Sequence, residues 1–304
     1  MYVLKIISKL LITFWGIKMK EINTKQFTNG FVSVMQLDDG KLIETTSTCL
    51  PGQTEIRVTG RKDNKVDPNT FSIENWKEKW TVGISTQSGC PIKCKFCAVN
   101  KLTDKQGWRN LTVVEMVDQV RYAVTEAQKI NGGLDPNDSG IFRILFTRMG
   151  EPSLNIENVI HAISFLKIMY PKAKIQISTI GVKKSEELVA RLMELEEMFG
   201  CDWLELQFSI HSTDDKFRKW LQNETVMSNI HIGDLADKWH RMFPNRPWKA
   251  TLNFALAKDT PFVVDDLKKQ FDPKTVFVKV SPINENPVSD ENSLKTLFTY
   301  ENSI

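Results

Sequence analysis

The amino-acid sequence predicts an α/β fold: a partial (β/α)6 barrel over residues 80–290, with a small β-rich N-terminal extension over residues 19–79. Three observations carry that expectation. From about residue 80, short β-branched and apolar runs alternate with amphipathic helical stretches, the pattern of parallel strands joined by right-handed helical crossovers. The 304 residues, 41% hydrophobic and 25% charged, can bury one large core and do not have the composition of a disordered chain. The chemically unusual residues fall at the carboxyl ends of the expected strands, where such folds carry their sites. Periodicity alone admits either a barrel or an open doubly wound sheet.

Residues 1–18 read as an amphipathic helix, with Val3, Leu4, Ile7, Leu10, Leu11 and Phe14 at helical spacing and Lys5, Ser8 and Lys9 between them. The segment is too short and too charged to span a bilayer, and it lacks the layout of a signal peptide, so no stable membrane insertion is expected. Met19 is an alternative initiator, and no function is assigned to the segment. In the extension, Phe31–Gln36, Lys41–Thr46 and Glu55–Thr59 read as strands, with Asp38-Asp39-Gly40 as a hairpin turn.

The first barrel strand is expected at Trp80–Thr86. Thr112-Val-Val-Glu115 is a capping box, since the threonine hydroxyl can accept from the amide three residues on while the glutamate reaches back, so a helix should run to about Lys129. Strands follow near Phe142–Thr147, Lys174–Thr179, Trp203–Ile210, Lys249–Ala255 and Val276–Val280. Helices are expected near Ile156–Met169, Ser185–Met198, between Asp214 and Met242, and near Val264–Phe271. Residues 291–304 form a C-terminal tail in which Ser293–Tyr300 begins a helix-like pattern, as though the last element were incomplete.

Three of the five cysteines lie within eight residues, in Cys90-Pro91-Ile92-Lys93-Cys94-Lys95-Phe96-Cys97. Thiolates are soft ligands suited to iron–sulfur clusters and zinc, and so short a loop can gather all three at little closure entropy. Three ligands on a four-iron cubane would leave one iron open to substrate or cofactor. A structural zinc site would need a fourth ligand from afar, such as Cys49 or Cys201. A disulfide scaffold is disfavoured by the odd count and the large, charged chain. The net charge of +3 permits a nucleic-acid partner without demanding one.

The C-x-x-x-C-x-x-C spacing, with Phe96 before the last cysteine, resembles the signature of radical S-adenosylmethionine enzymes. Gln106-Gly107-Trp108-Arg109-Asn110-Leu111-Thr112 and Met149-Gly150-Glu151-Pro152-Ser153-Leu154-Asn155 are similar to segments of the RlmN/Cfr group, which methylates adenine carbons in ribosomal RNA and, in some cases, transfer RNA. The resemblance runs from roughly Gln36 to Pro287. It implies a radical-SAM barrel in which Cys90, Cys94 and Cys97 hold a [4Fe-4S] cluster. The open iron would bind S-adenosylmethionine, which is cleaved reductively to a 5′-deoxyadenosyl radical. It further implies that Gly150 and Glu151 contact the methionine ammonium, that Ser178, Ser209, Ile210, His211 and Asn284 bind the cofactor, and that Glu44 is the base taking the substrate proton. An RNA substrate, a flavodoxin- or ferredoxin-type electron donor and a reducing, cytoplasmic setting follow from the same resemblance. Trp108, Arg109, Arg218 and Trp220 are candidates for RNA contact.

The chain also departs from that pattern. The group's methyl transfer uses two further cysteines, one seven residues before the first cluster cysteine and one in a C-terminal loop. Gly83 stands at the first position, and no cysteine follows Cys201. Glycine cannot serve as a thiol nucleophile. The group's N-terminal RNA-binding helical domain is also not expected in the β-like text before residue 80. A truncated chain, a substitute thiol such as Cys49 or Cys201, or a radical aimed at a small molecule or a protein would each account for this. A zinc-stabilised RNA-binding module is the non-enzymatic alternative.

Overall fold

A computed structural model of the chain describes residues 19–49, 73–200, 202–244 and 248–297. The amphipathic segment 1–18, the expected strand Glu55–Thr59 and Cys201 lie outside the described residues.

The chain opens with an antiparallel meander, β1 (Met19–Phe27), β2 (Gly30–Leu37) and β3 (Leu42–Cys49). Asp38-Asp39-Gly40 forms the expected turn between β2 and β3: Gly40 takes φ +81°, and the Asp39 carboxylate accepts from the Lys41 amide at 3.1 Å. β1 was not foreseen. It is an outer edge strand whose residues are mostly exposed, and its charged Lys20, Glu21 and Lys25 suit an unpaired edge.

A short helix α1 (Ile73–Glu78) leads into β4 (Lys79–Ile84), then the two-residue strand β5 (Gln87–Ser88), α2 (Val99–Gln106), β6 (Arg109–Asn110) and α3 (Val113–Ile130). The capping box forms as expected, with the Thr112 Oγ1 accepting from the Glu115 amide at 3.2 Å and the Glu115 carboxylate accepting from the Thr112 amide at 2.8 Å. Alternation then continues through β7 (Ile141–Phe146), α4 (Ile156–Met169), β8 (Lys174–Thr179), α5 (Ser185–Phe199) and β9 (Leu204–Ser209). Helices α6 (Asp215–Leu221) and α7 (Asn229–Met242), strand β10 (Ala250–Leu256), α8 (Val264–Gln270), β11 (Val276–Pro282) and α9 (Pro287–Glu291) complete the order.

Nine strands form one sheet in the order β1-β2-β3-β4-β7-β8-β9-β10-β11. From β4 to β11 every neighbouring pair is parallel, so six parallel strands follow one another in chain order, as in a barrel and unlike a doubly wound sheet. No pairing among the described residues closes the sheet, so it is a partial (β/α)6 barrel. The N-terminal extension continues the same sheet, because β3 pairs antiparallel with β4, Thr46 opposite Gly83.

The period-two alternation of the strands sorts two faces. One carries Val82, Ile144, Ile177, Leu206 and Phe254, buried in a single core with Met116, Ile163, Leu192 and Trp239 of the helices. The other carries Thr81, Gln176, Ser178, Gln207, Ser209 and Asn253, most of them half-buried and all polar. Helix-covered packing on one side thus leaves a polar concave side for a site.

The helical expectation for Ser293–Tyr300 is corrected over its described part. Ser293 takes φ +57°, Leu294 is buried beside Leu221, Ala257 and Ile283, and Thr296 bridges Ala257, so this stretch leaves α9 as an irregular strap. Burying Leu294 outweighs the local helical pattern.

Candidate functional site

The three cysteines lie in the loop between β5 and α2, at the carboxyl end of the first parallel strand. The loop is bound tightly to its surroundings. Lys93 takes the left-handed conformation (φ +57°), which turns the chain between Cys90 and Cys94. The Cys97 amide donates to the Cys94 carbonyl at 3.0 Å, Asn100 Nδ2 donates to the same carbonyl at 2.9 Å, and the Cys90 amide donates to Thr103 Oγ1 at 2.9 Å. From across the mouth, the Lys95 amide donates to the Leu221 carbonyl, Asn286 Nδ2 to the Phe96 carbonyl and Asn292 Nδ2 to the Lys95 carbonyl. Elements 120 to 200 residues apart therefore converge on this loop.

The thiols sit in one apolar pocket with Ile92, Val182, Leu154 and Ile180. Burial pushes the Cys90 thiol up to about 12 and raises Cys94 and Cys97 as well; the neighbouring thiols and Glu151 add to the rise at Cys90 and Cys94. Grouped, desolvated thiols of this kind are poor free thiolates. They suit a cationic centre that takes the place of their protons.

The other expected site residues, Ile210 apart, ring the same mouth. Gly150 has φ +98°, and a Cβ there would lie 2.6–2.7 Å from Gln87, so only glycine fits. Glu151 is buried, and its carboxylate accepts from Thr179 Oγ1 at 2.5 Å, from the Ser153 amide at 3.0 Å and from the Ile180 amide at 3.0 Å. Burial raises its pKa against those hydrogen bonds. Glu151 thus ties the end of β7 to the end of β8, a structural task that its sequence position did not disclose.

Ser178 lies on the concave face and accepts from Gln207 Nε2 at 3.1 Å. Ser209 shares that face, and its carbonyl accepts from Gln222 Nε2 at 2.8 Å. Ile210 is fully buried in the hydrophobic core, and its amide donates to the Asn253 carbonyl, so the structure does not bring it to the polar mouth. His211 takes φ +65°, its Nδ1 accepts from the Ala255 amide at 3.0 Å, and its ring meets Phe96 edge-on at 4.9 Å. Burial, helped by the charge of Arg218, depresses its pKa to about 3, so it is neutral and supports the cysteine loop from below. Asn284 is exposed in the turn before α9, and its carbonyl accepts from Asn286 Nδ2.

Glu44 lies within β3, in the strand expected over Lys41–Thr46, and its carboxylate pairs with the guanidinium of Arg148. Arg148, just beyond the end of β7, lies over Gly83. Sequence reading missed this arginine, whose partner is 104 residues away.

The comparisons with known proteins fit this geometry. A model described as the Radical SAM superfamily matches residues 84–232. A protein of Heliobacterium modesticaldum named Probable dual-specificity RNA methyltransferase RlmN is 35% identical over 200 residues, covering 64% of this chain and 46% of that protein. Dual-specificity RNA methyltransferase RlmN of Marinobacter nauticus is 30% identical over 242 residues, covering 76% and 60%.

The family match places residues 84–232 in the radical SAM superfamily. The chain's curated relatives are of the RlmN-like group, and the chain spans about half the length of those it matches. The crystal structure of a radical SAM methyltransferase from Sphaerobacter thermophilus shares its fold, with a TM-score of 0.66 at 20% identity, covering 93% of this chain and 72% of that one.

Within this radical SAM fold, the residues considered for RNA contact divide. Arg218 is fully buried, donating to the Met227 carbonyl at 2.6 Å and the Ile180 carbonyl at 2.7 Å, and burial lowers its pKa to about 10. It braces the loop after β8 and offers no surface for RNA contact. Arg109 is held by Glu115 and Asp39. Trp108 and Trp220, 47% and 39% exposed, flank the cysteine loop, Trp108 against Gly89 and Trp220 beneath Lys95 Nζ at 5.4 Å. Cys49 is a core thiol opposite Trp80 on β4, raised by burial to about 11, as a structural cysteine would be. None of the described helices is long and apolar enough to cross a membrane.

Proposed function

We propose that this chain is a radical S-adenosylmethionine enzyme that modifies a base in RNA. The observation that carries the reading is the set of three desolvated thiols, Cys90, Cys94 and Cys97, on a tightly bound loop at the carboxyl mouth of six parallel strands. Their donor chemistry fits a [4Fe-4S] cluster with one open iron. When bound, the cluster supplies the electron that cleaves S-adenosylmethionine to a 5′-deoxyadenosyl radical.

The protein's own contribution is positioning and exclusion of water. Ser178, Ser209 and Asn284 would hold polar parts of S-adenosylmethionine, with the backbone at Gly150 allowing close approach. Glu151 fixes the rim on which the methionine ammonium would rest, and neutral His211 with Phe96 keeps the cysteine loop at a constant height. Glu44 is the carboxylate that would accept the substrate proton. RNA is the substrate class in the names of the RlmN relatives, and Trp108 and Trp220 beside the mouth suit stacking on bases. A flavodoxin- or ferredoxin-type protein in a reducing, cytoplasmic setting would deliver the electron. Since residue 83 offers no thiol, the product is assigned as a modified base without specifying a methyl group.

The test is anaerobic turnover of the reconstituted chain with S-adenosylmethionine and dithionite, with and without RNA. 5′-Deoxyadenosine formation that RNA stimulates, with a mass change in the RNA, is expected. Equal formation without RNA and unaltered RNA would turn the reading toward a small-molecule or protein substrate.

A further inference from the structure

Gly83 is a glycine for reasons of space. Its φ lies outside the left-handed region, and it pairs in ordinary strand register with Thr46 of β3 and Leu145 of β7. A Cβ built on it would come within 2.6 Å of Thr46 Oγ1 and 3.0 Å of Arg148 Cδ. The aliphatic stem of Arg148 therefore covers residue 83, on the face that carries the polar site. Its starting point is fixed, because the Arg148 amide donates to the Ile84 carbonyl at 3.1 Å.

From there the guanidinium reaches the Glu44 carboxylate, through Nη2. A guanidinium has five N–H donors in a planar fork. Among the described residues its side chain bonds Glu44 alone, so most of the fork is unused. The two side chains are 34% and 27% exposed, which puts the pair at the mouth. A stem held by packing, a fork with spare donors and one carboxylate partner that can let go form a receptor for a planar or tetrahedral oxyanion.

We propose that Arg148 is a specificity-determining residue that grips a phosphodiester oxyanion of the substrate, exchanging Glu44 for the phosphate as substrate enters. The assignment of the oxyanion to RNA rests on the function proposed above. A side chain at position 83 would press first on Thr46 and next on the Arg148 stem, so the glycine on β4 leaves the space in which this arginine packs.

The experiment is fluorescence anisotropy of a fluorescein-labelled RNA stem–loop against the full, anaerobically reconstituted chain over a salt series. Arg148→Ala should weaken binding several-fold and reduce the slope of log affinity against log salt by about one. Arg148→Gln, which keeps the packing of the stem, should do the same, and Arg148→Lys should recover part of the loss. Glu44→Gln should tighten binding, because the competing carboxylate is gone. Arg148→Ala and Arg148→Gln binding with the affinity and salt slope of the parent would overturn the proposal while leaving RNA as the substrate. A parent chain that binds no RNA even at low salt would overturn the RNA reading and this proposal with it.

Discussion

Two sides of one mouth are built on opposite principles. On the side of β5 and α2, three thiols are desolvated and uncharged, on a loop whose backbone is hydrogen-bonded by side chains of α2 and of the α9 cap and by the Leu221 carbonyl at the end of α6. On the side of β3 and the end of β7, a partly exposed ion pair between Glu44 and Arg148 lies over a glycine at which a side chain would crowd Thr46 and Arg148. The first side suits a fixed cofactor, because its loop is anchored at several points and its thiols lie among apolar side chains. The second suits an exchangeable ligand, because its ion pair is exposed enough for another anion to compete.

The sharpest way to break this division is to disable one side and examine the other. Cys94→Ala should abolish 5′-deoxyadenosine formation, a loss of at least about a hundredfold on the scale of catalytic-group removal, while RNA affinity by anisotropy stays within about twofold of the parent. A matching fall in RNA binding would mean that the two sides are not separable.

The next effect concerns pH. His211 has its folded pKa depressed to about 3, below the ordinary value of 6.5, so the unfolded chain takes up a proton that the folded chain does not. The stability it contributes is complete above about pH 6.5 and is lost as pH falls toward 3, on the order of a few kcal/mol over the window. Denaturant titrations between pH 4 and 7 should show this acid loss in the parent, and His211→Gln should flatten it. An unchanged acid limb in the variant would remove His211 from its supporting role.

Smaller, but more telling for the charged side, is Gly83→Ala. The added methyl should cost about 1–3 kcal/mol by overpacking against Thr46 and Arg148, and the Arg148 share of that cost should vanish in an Arg148→Ala background. Additive effects in the thermal midpoints of the four proteins would refute the packing of the Arg148 stem on residue 83. The smallest effect expected is from Asn286→Ala, about 1 kcal/mol from loss of the α9 cap and of the bond to the Phe96 carbonyl, seen as faster iron loss to a chelator.

Much of the fold was legible because its strongest patterns were local. Ile156–Met169 and Lys174–Thr179 occur at the expected bounds, since apolar periodicity and length both favoured one state there. α2 was not foreseen because its sequence is polar and only Thr103 is buried within it. β1 was missed because an exposed edge strand has no apolar alternation to read. At the site, the cysteine spacing and the Gly150-Glu151 turn were local and readable. Arg218 was misread because a long-range backbone arrangement, the carbonyls of Ile180 and Met227, makes a buried place for a charge. Arg148 was missed for the same kind of reason, since its meaning depends on β3 lying beside β4.

The central claim is that Cys90, Cys94 and Cys97 hold one cubane cluster at this mouth. Iron and sulfide analysis of the anaerobically reconstituted chain, with its absorption spectrum, tests it most directly. A brown protein with about four irons and four sulfides per chain and broad absorbance near about 400 nm is expected, falling to little iron in Cys90→Ala, Cys94→Ala or Cys97→Ala. A colourless protein that holds zinc and resists iron–sulfur reconstitution would contradict it.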